Sequence, residues 1–343
     1  MRIVNSLDWD LWKNFIDELP SANVFHTPEM HEVFSRTKGH LPEIWATLDD
    51  NGKILALFLP VEVRLFNGLA KFFSSRAISY GSVLAEAGEA GKEALSMLLQ
   101  KYTRDVSFAN LFTELRNHTD QNEIQDVLQK NGYMFEGHLN YLLNIQRDPQ
   151  EILESFKRDA YRRIRKNMIK GVLEVTEITD RSDISTFYNL LRKTYQYARI
   201  PLADITLFES AFDVLYPKKM IRFTLIYLGD VPVTASVSLL YKNVIYGWYN
   251  GTDRAYSTFG PNEYEVWELI NWGIDKGYHV FDFGGAGKPD FPYGVRDFKA
   301  KFNGQLVNYG RNICIHAPFR FNLSKISYQT ARKSSQLLNE IID

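Results

Sequence analysis

YHVFDFGGAGKPDFPYGVRDFKAKFNG, residues 278–304, is the stretch from which the rest of the chain is read. It opens with an aromatic and β-branched run, Tyr278 to Phe283, that reads as a buried strand. The run passes directly into Gly284-Gly285-Ala286-Gly287, where backbone without side chains can lie close against a ligand. A Pro- and Gly-rich loop follows, then a short helix. In that helix Val295, Phe298 and Phe302 fall at helical spacing and face the core, with Gly304 at the C-terminal cap. Lys299 sits beside this apolar stripe rather than on it. A lysine held just off a buried face, next to a glycine-lined strand end, is placed to meet developing negative charge. A solvated surface lysine beside a plain turn fits the same letters, and both readings stay open.

Working outward, the residues before this stretch alternate in a regular way. Asp183–Ala198 and Asp204–Tyr216 read as helices, the second with Leu207, Ala211 and Leu215 along one side. Ile221–Leu228, Val231–Tyr241 and Val244–Tyr249 read as strands joined by the Gly229-Asp230 and Lys242-Asn243 turns. Asn262–Lys276 reads as a helix capped by Asn262 and ended by Gly277. After it, Gln305–Ile315 reads as a closing strand and Leu323–Ile342 as a final amphipathic helix.

The first half repeats this order. Leu7–Leu19 is an amphipathic helix, and Thr27-Pro28 caps and starts a second that runs to about Thr37. Glu43–Leu48, Ile54–Leu65 and Ala70–Ser75 form a meander through Asp50-Asn51-Gly52 and Asn67-Gly68, with a bulge at Pro60. Gly91–Tyr102 reads as helix, Phe108–Leu115 as strand, Gln121–Asn131 as helix and Tyr133–Ile145 as strand. Two helices, a meander, a helix and a strand thus occur twice. The expectation is an α+β chain with domains at 1–147 and 148–317 and a helical tail at 318–343. Each domain has a mostly antiparallel sheet flanked by helices, an order that also describes the acetyltransferase fold.

Between the halves, Asp148-Pro149-Gln150-Glu151 is a strong helix start. Ile152, Phe156, Ala160, Ile164 and Met168 then recur every four residues, predicting a single helix from Asp148 to Gly171. Its other face carries Lys157, Arg158, Arg162, Arg163, Arg165, Lys166 and Lys170 against Asp159 alone. This is either a solvated face or an anion site for RNA phosphates, a pyrophosphate or a lipid-linked precursor, with Arg162, Arg163 and Lys166 at its centre.

Phe281-Asp282-Phe283-Gly284-Gly285, Gly294-Val295, Phe298-Lys299 and Phe302-Asn303-Gly304 together resemble a signature of the Fem family, aminoacyltransferases that build peptidoglycan cross-bridges from aminoacyl-tRNA. They also resemble the wider group of Fem-related acyltransferase domains in polysaccharide and cell-envelope proteins. The resemblance implies two tandem acetyltransferase-like (GNAT-like) domains and a last helix packed back on the first domain. It implies that Lys299 neutralises charge on the acyl carbonyl with Phe298 as its structural neighbour, and that Arg199 serves the acceptor. Asp282, Gly284 and Gly285 belong to the same motif, and Tyr246, Trp248 and Tyr249 end a strand that lines the cleft or packs the core. The chain departs from the family near its N-terminus. Where Fem enzymes read aromatic-x-Gln-Ser-x-x-Trp, this chain reads Phe25-His26-Thr27-Pro28-Glu29-Met30-His31.

Composition narrows the class. The chain has 343 residues, a net charge of −1 and one cysteine, Cys314. No intramolecular disulfide can form, and no global positive field draws the chain to nucleic acid or to an anionic membrane, so contact with tRNA requires a local patch. Scattered histidines give no metal site. There is no signal-peptide apolar region, and the longest apolar run, Ile54–Val61, is too short to cross a bilayer, so a cytoplasmic protein is expected. No Ser elbow, Walker loop or spaced GxGxxG occurs. The segment Arg254–Asn262 does not match the pyrophosphate loop of coenzyme-A acetyltransferases. No bound cofactor is expected; the donor is aminoacyl-tRNA or acyl-CoA as co-substrate, and the acceptor a small or lipid-linked envelope precursor. Three functions remain: aminoacyl transfer from tRNA to an envelope amine, acyl-CoA-dependent N-acylation in polysaccharide or amino-sugar synthesis, and a non-catalytic domain pair that binds peptides or glycans.

Overall fold

The computed structural model describes residues 1–64, 75–106 and 110–323. Its chain divides into two units. One comprises Met1–Ser35, Gly39–Glu136 and the chain from Gly310; the other comprises Arg36–Lys38 and Gly137–Tyr309. The expected Asn67-Gly68 turn, nearly all of the Ala70–Ser75 strand, the start of Phe108–Leu115 and nearly all of the Leu323–Ile342 helix lie outside the described residues.

The first unit begins with β1 (Arg2–Val4) and α1 (Trp9–Glu18), whose cap Asp8 accepts from the amides of Asp10 and Leu11. Thr27-Pro28 starts α2 (Pro28–Arg36) as read, with Thr27 Oγ1 accepting from Met30 N at 3.1 Å. Then come β2 (His40–Pro42), β3 (Trp45–Leu48), β4 (Ile54–Phe58), β5 (Val61–Val63), β6 (Arg76–Ser79) and β7 (Val83–Ala85). They are followed by α3 (Glu89–Val106), β8 (Phe112–Arg116), α4 (Gln125–Lys130) and β9 (Met134–Glu136). In α3, Leu95, Leu98, Leu99 and Tyr102 bury one face against Ala56 and Phe58.

The second unit takes up the chain with β10 (Asn140–Asn144), α5 (Pro149–Ser155), α6 (Arg158–Lys170), β11 (Leu173–Glu177), α7 (Ile184–Ala198) and α8 (Ile205–Leu215). It continues with β12 (Ile221–Leu228), β13 (Val231–Tyr241), β14 (Val244–Thr252), α9 (Pro261–Asp275), β15 (Val280–Gly285), α10 (Gly294–Lys299) and β16 (Gln305–Val307). β17 (Arg311–Ile315) returns to the first unit. The sheets run β1-β3-β4-β7 and β2-β5-β6-β8-β17-β9 in the first unit, and β11-β12-β13-β14-β15-β10-β16 in the second. Pairing is antiparallel except at β6/β8 and β14/β15. In each unit, then, a parallel pair is bridged by a helix, α3 or α9, within otherwise antiparallel sheets.

Four expectations are corrected. Ile54–Leu65 is two strands in two sheets, because Pro60 has no amide for a ladder and lets the chain leave one sheet for the other. Tyr133–Ile145 and Gln305–Ile315 each split between units: β9 and β17 pair with one another, while β10 lies between β15 and β16. The units therefore divide at Gly137 and Gly310 rather than at residue 148 and residue 318. Asp148–Gly171 is two helices, not one. The break is at Phe156, extended at ψ 154, whose ring packs edge-on to Phe302 at 5.2 Å while the amide of Lys157 donates to Lys301 O at 2.8 Å. The apolar stripe stops at Ile164; Met168 is exposed and Asn167 is buried in its place, donating to Phe259 O at 2.8 Å.

Three smaller corrections concern helix ends. α9 starts at Pro261 with Gly260 at φ 68 before it, and Asn262 accepts from the Thr252 hydroxyl instead of capping. Asn303, at φ 53, closes the turn after α10 where Gly304 was expected to, and Val295 is exposed.

The core of the second unit gathers Ile152, Ala160 and Ile164 with Ile245, Val266, Trp267, Ile270, Phe281 and Phe302. Burial of each such large side chain contributes about 1.5–3 kcal/mol relative to exposure. On the opposite side of β14, α7 approaches so closely that a Cβ at Gly251 would stand 2.7 Å from Leu191 Cα and 2.9 Å from Leu190 O. These are backbone atoms, so neither can rotate away. Gly251→Ala is expected to destabilise the protein by about 1–3 kcal/mol, the usual cost of overpacking. Urea unfolding of the variant checks this, and a midpoint equal to the parent's would contradict it.

Candidate active site

β14 and β15 pair through Val244/Val280, Ile245/Phe281 and Tyr246/Asp282, and the register ends there. β14 runs on to Thr252 with β13, and β15 to Gly285 with β10. Past Tyr246 and Asp282 the two inner edges no longer share a ladder, although the strands stay close: a Cβ on Gly247 would lie 3.5 Å from Asp282 O.

β15 carries a bulge at this point. Asn140 pairs with Gly285 but Leu142 with Asp282, so Phe283 and Gly284 take up one extra residue, with Gly284 at φ 70. A Cβ on Gly284 would lie 3.1 Å from Gly247 O, so both the dihedral and the space call for glycine. Asp282 is 4% exposed and holds the bulge from inside: Oδ1 accepts from Gly284 N at 2.7 Å and from Asn140 Nδ2 at 2.8 Å.

Lys299 holds it from the other side. Its Nζ donates to the carbonyls of Phe283, Gly284 and Gly285, at 3.0 Å for Gly284 and 2.9 Å for Gly285. An ammonium has three donors, and here each meets a main-chain acceptor. Burial pulls the Lys299 pKa down to about 8, opposed by the Asp282 charge. To meet an oxyanion, Lys299 must trade one of these carbonyls for it. Phe298 packs edge-on to Phe302 at 5.3 Å and so seats α10 on the core.

Arg296 was not singled out from the sequence. Its guanidinium donates to Ala286 O at 2.9 Å, Pro289 O at 3.1 Å and Phe291 O at 2.6 Å, and also to Lys288 O, so it shapes the loop between the bulge and α10. The available signal was an arginine in the first turn after a Gly/Pro loop, where a planar fork can serve several carbonyls.

Tyr246, Trp248 and Tyr249 are half-buried on β14. The β13 register skips Trp248, a second bulge, which lets Trp248 and Tyr249 both approach Phe208 of α8, at 6.1 and 4.9 Å. The Tyr249 ring lies 6.0 Å from Tyr195, whose phenol is pushed up to about 12 by burial and by nearby Tyr293. Tyr246 faces the other bulge, its hydroxyl 3.5 Å from the Cβ position at Gly284. Gly285 is exposed, with His138 Nε2 3.0 Å from its Cβ position.

The remaining predicted residues lie apart from the bulge. Arg199 is the exposed C-cap of α7 at φ 53. Arg162 and Lys166 are exposed on α6. Arg163 instead braces the turn before α9, donating to Ser257 O at 3.1 Å with its Nε 3.8 Å from Glu263. Lys301 joins Asp159 at 2.8 Å and buried Glu263 at 3.3 Å. Among the described residues no three His, Cys, Asp or Glu side chains cluster as metal ligands.

Glu265 also escaped the sequence reading. It lies buried on α9, where Asn250 Nδ2 comes within 3.4 Å of it. Burial pushes its carboxyl up to about 7, opposed by a hydrogen bond from Ser236 and by Arg222. A raised folded pKa means that the folded state holds a proton which the unfolded chain releases near 4.5. Stability from this group is therefore complete below that value and is lost as pH rises through about 7. Glu265→Gln removes the titration. It is expected to stabilise the protein above pH 7 by about 1–3 kcal/mol and to flatten the pH dependence of the melting temperature between the two pKa values. Parallel melting curves for parent and variant would contradict this.

Residues 154–299 match the family model described as an acetyltransferase (GNAT) domain. No curated protein matches the sequence. Among solved structures, FemX is similar over 94% of this chain and 99% of its own, at TM-score 0.68 and 15% identity. L-PGS from Bacillus licheniformis is similar over 95% and 98%, at 0.57 and 10%. A tandem GNAT protein from the clavulanic acid biosynthesis pathway is similar over 91% and 96%, at 0.56 and 8%. The fold is GNAT-like, and the second unit carries the matched domain.

Proposed function

We propose that this acyltransferase passes an aminoacyl group from aminoacyl-tRNA to an amine of a peptidoglycan or other cell-envelope precursor. The observation that carries the reading is the Lys299 ammonium, held at the glycine bulge where β14 and β15 part. The Phe281–Gly285 and Phe298-Lys299 motifs and the length of chain shared with FemX support it.

In this reaction the acceptor nitrogen attacks the ester carbonyl carbon. A C–N bond forms, negative charge gathers on the carbonyl oxygen, and the C–O bond to the tRNA ribose then breaks. The proton lost by the amine ends on the ribose oxygen. Lys299 turns one N–H from a main-chain carbonyl to the oxyanion, and Asp282 keeps the cation in place. Such preorganised charge in a water-poor site is the term that lowers the barrier most.

A second reading, an acyl-CoA donor, is favoured by the GNAT domain match. The N-terminus of α9 speaks against it. Pro261 removes an amide there, and buried Glu263 puts a carboxylate in the first turn, where a pyrophosphate needs donors and positive charge.

Lys299→Met is expected to lower kcat by about 10²–10³ with a smaller change in KM, since the charge exists mainly in the transition state. The parent's rate is expected to fall as pH rises through about 8, where Lys299 loses its proton. Lys276→Met, exposed at the end of α9, is the control. Lys301 does not serve, because it partners Glu263. The assay offers aminoacyl-tRNA and acyl-CoA separately to an amine-bearing muropeptide. A folded Lys299→Met enzyme within about threefold of the parent, less than ~0.7 kcal/mol, contradicts the role of Lys299. Turnover with acyl-CoA alone overturns the donor.

A further inference from the structure

The end of α6 combines two features that the acyl-transfer chemistry does not use. Ile169 is 76% exposed and Met168 43%, and Val172, just past the Gly171 cap, is exposed too. Phe259 adds a fourth apolar side chain. Its carbonyl is held by Asn167 of α6 at 2.8 Å while its own side chain stays exposed. Exposed apolar side chains at one helix end and in the turn beside it are not explained by packing.

The same helix is strongly basic. Arg158, Arg162, Lys166 and Lys170 follow one another at four-residue steps, so they form one row, and Arg165 stands close by. The only acid of α6, Asp159, is bound to Lys301 at 2.8 Å. Among the described residues no carboxylate pairs with Arg162, Lys166 or Lys170. The nearest acid in sequence beyond the cap is exposed Glu174 on β11.

RNA phosphates would use the charges but gain nothing from Met168 and Ile169, since backbone contacts to nucleic acid come from cations and polar donors. An anionic bilayer uses both, because its surface attracts the cations while its interface accepts the apolar side chains. We propose that α6, with the turn ending at Phe259, seats this protein on an anionic membrane surface. The charges draw the helix down and Met168, Ile169, Val172 and Phe259 enter the headgroup boundary. This goes beyond the acyl-transfer reading and does not rest on it; it would place the catalytic unit at the surface where lipid-linked acceptors reside.

The test is co-sedimentation of the whole chain with vesicles of phosphatidylcholine, alone or mixed with phosphatidylglycerol. Two variants are compared with the parent: Met168→Ser with Ile169→Ser, and Arg162→Gln with Lys166→Gln and Lys170→Gln. Arg163 is left intact because it braces Ser257 and Glu263. All five positions are exposed, so unchanged melting curves are expected.

The parent is expected to sediment with the mixed vesicles and far less with phosphatidylcholine alone. Each lost charge is expected to weaken binding about fivefold, from ~1 kcal/mol per cation near the surface. The apolar pair is expected to weaken it at least about tenfold, including at high salt, where charge is screened. A parent that ignores mixed vesicles at low salt overturns the proposal, as does an apolar double variant that binds like the parent. Total tRNA is titrated alongside. RNA binding that depends on the three charges, without vesicle binding, assigns the face to nucleic acid instead. A dimer dissolved by Met168→Ser with Ile169→Ser, again without vesicle binding, assigns it to a second copy.

Discussion

Three successive carbonyls, of Phe283, Gly284 and Gly285, lie beyond the β14 ladder where β15 bulges, and one half-buried ammonium donates to all three. Unpartnered, these groups would each cost about 1–3 kcal/mol wherever water cannot reach. Lys299 removes that cost but brings a charge into a poorly hydrated place, and Asp282 across the bulge offsets it. The two side chains therefore specify one another through four residues of backbone. The adjoining loop depends on the same arrangement, because Arg296, three residues before Lys299 on α10, fastens Ala286 to Phe291. Phe302 anchors the far end of this segment in the core beside Phe156 and Phe283. A site built in this way has little freedom, which suits chemistry that depends on fixed donors.

The chain path imposes a second constraint. It enters the second unit's sheet as β10, leaves it after β16, and rejoins the first unit as β17 beside β9. β10 sits directly against the bulged strand, and its Asn140 donates to Asp282. A residue far back in sequence thus completes the site. Such pairing is nonlocal, and contacts of that kind form only after the loop-closure entropy between them has been overcome.

Electrostatics differ between the two ends of the second unit's helices. α9 begins with Pro261 and Glu263, and the cations Arg163 and Lys301 approach that carboxylate, so the helix start is already neutralised by the protein itself. α6 has the opposite balance. Its one acid is taken by Lys301, and Arg158, Arg162, Lys166 and Lys170 face solvent. Among the described residues, the flank of α6 therefore presents cations without carboxylate partners, whereas the N-terminus of α9 does not.

Much of this was legible in the residue order. The helices over α7, α8 and α9 and the strands over β12, β13 and β14 announce themselves by period and by turn residues, both of which are local properties. The Gly-rich strand end and Lys299 beside its apolar stripe could be picked out for the same reason. Tertiary structure alone decided which sheet a strand joins. Pro60 looked like a bulge in one strand, yet it separates β4 from β5, and Tyr133–Ile145 read as continuous, yet β9 and β10 serve different units. It also decided that a helix with unbroken four-residue spacing stops at Phe156, because Phe302 and the Lys301 carbonyl claim the residues at the break. Charge showed the same limit. Glu265 is one of several glutamates in its helix, and only the layer that closes over it makes it titrate near neutrality. Periodicity records which side of an element is apolar. What lands on that side, and which groups lose water there, depends on residues distant in sequence and is settled only when the chain has folded.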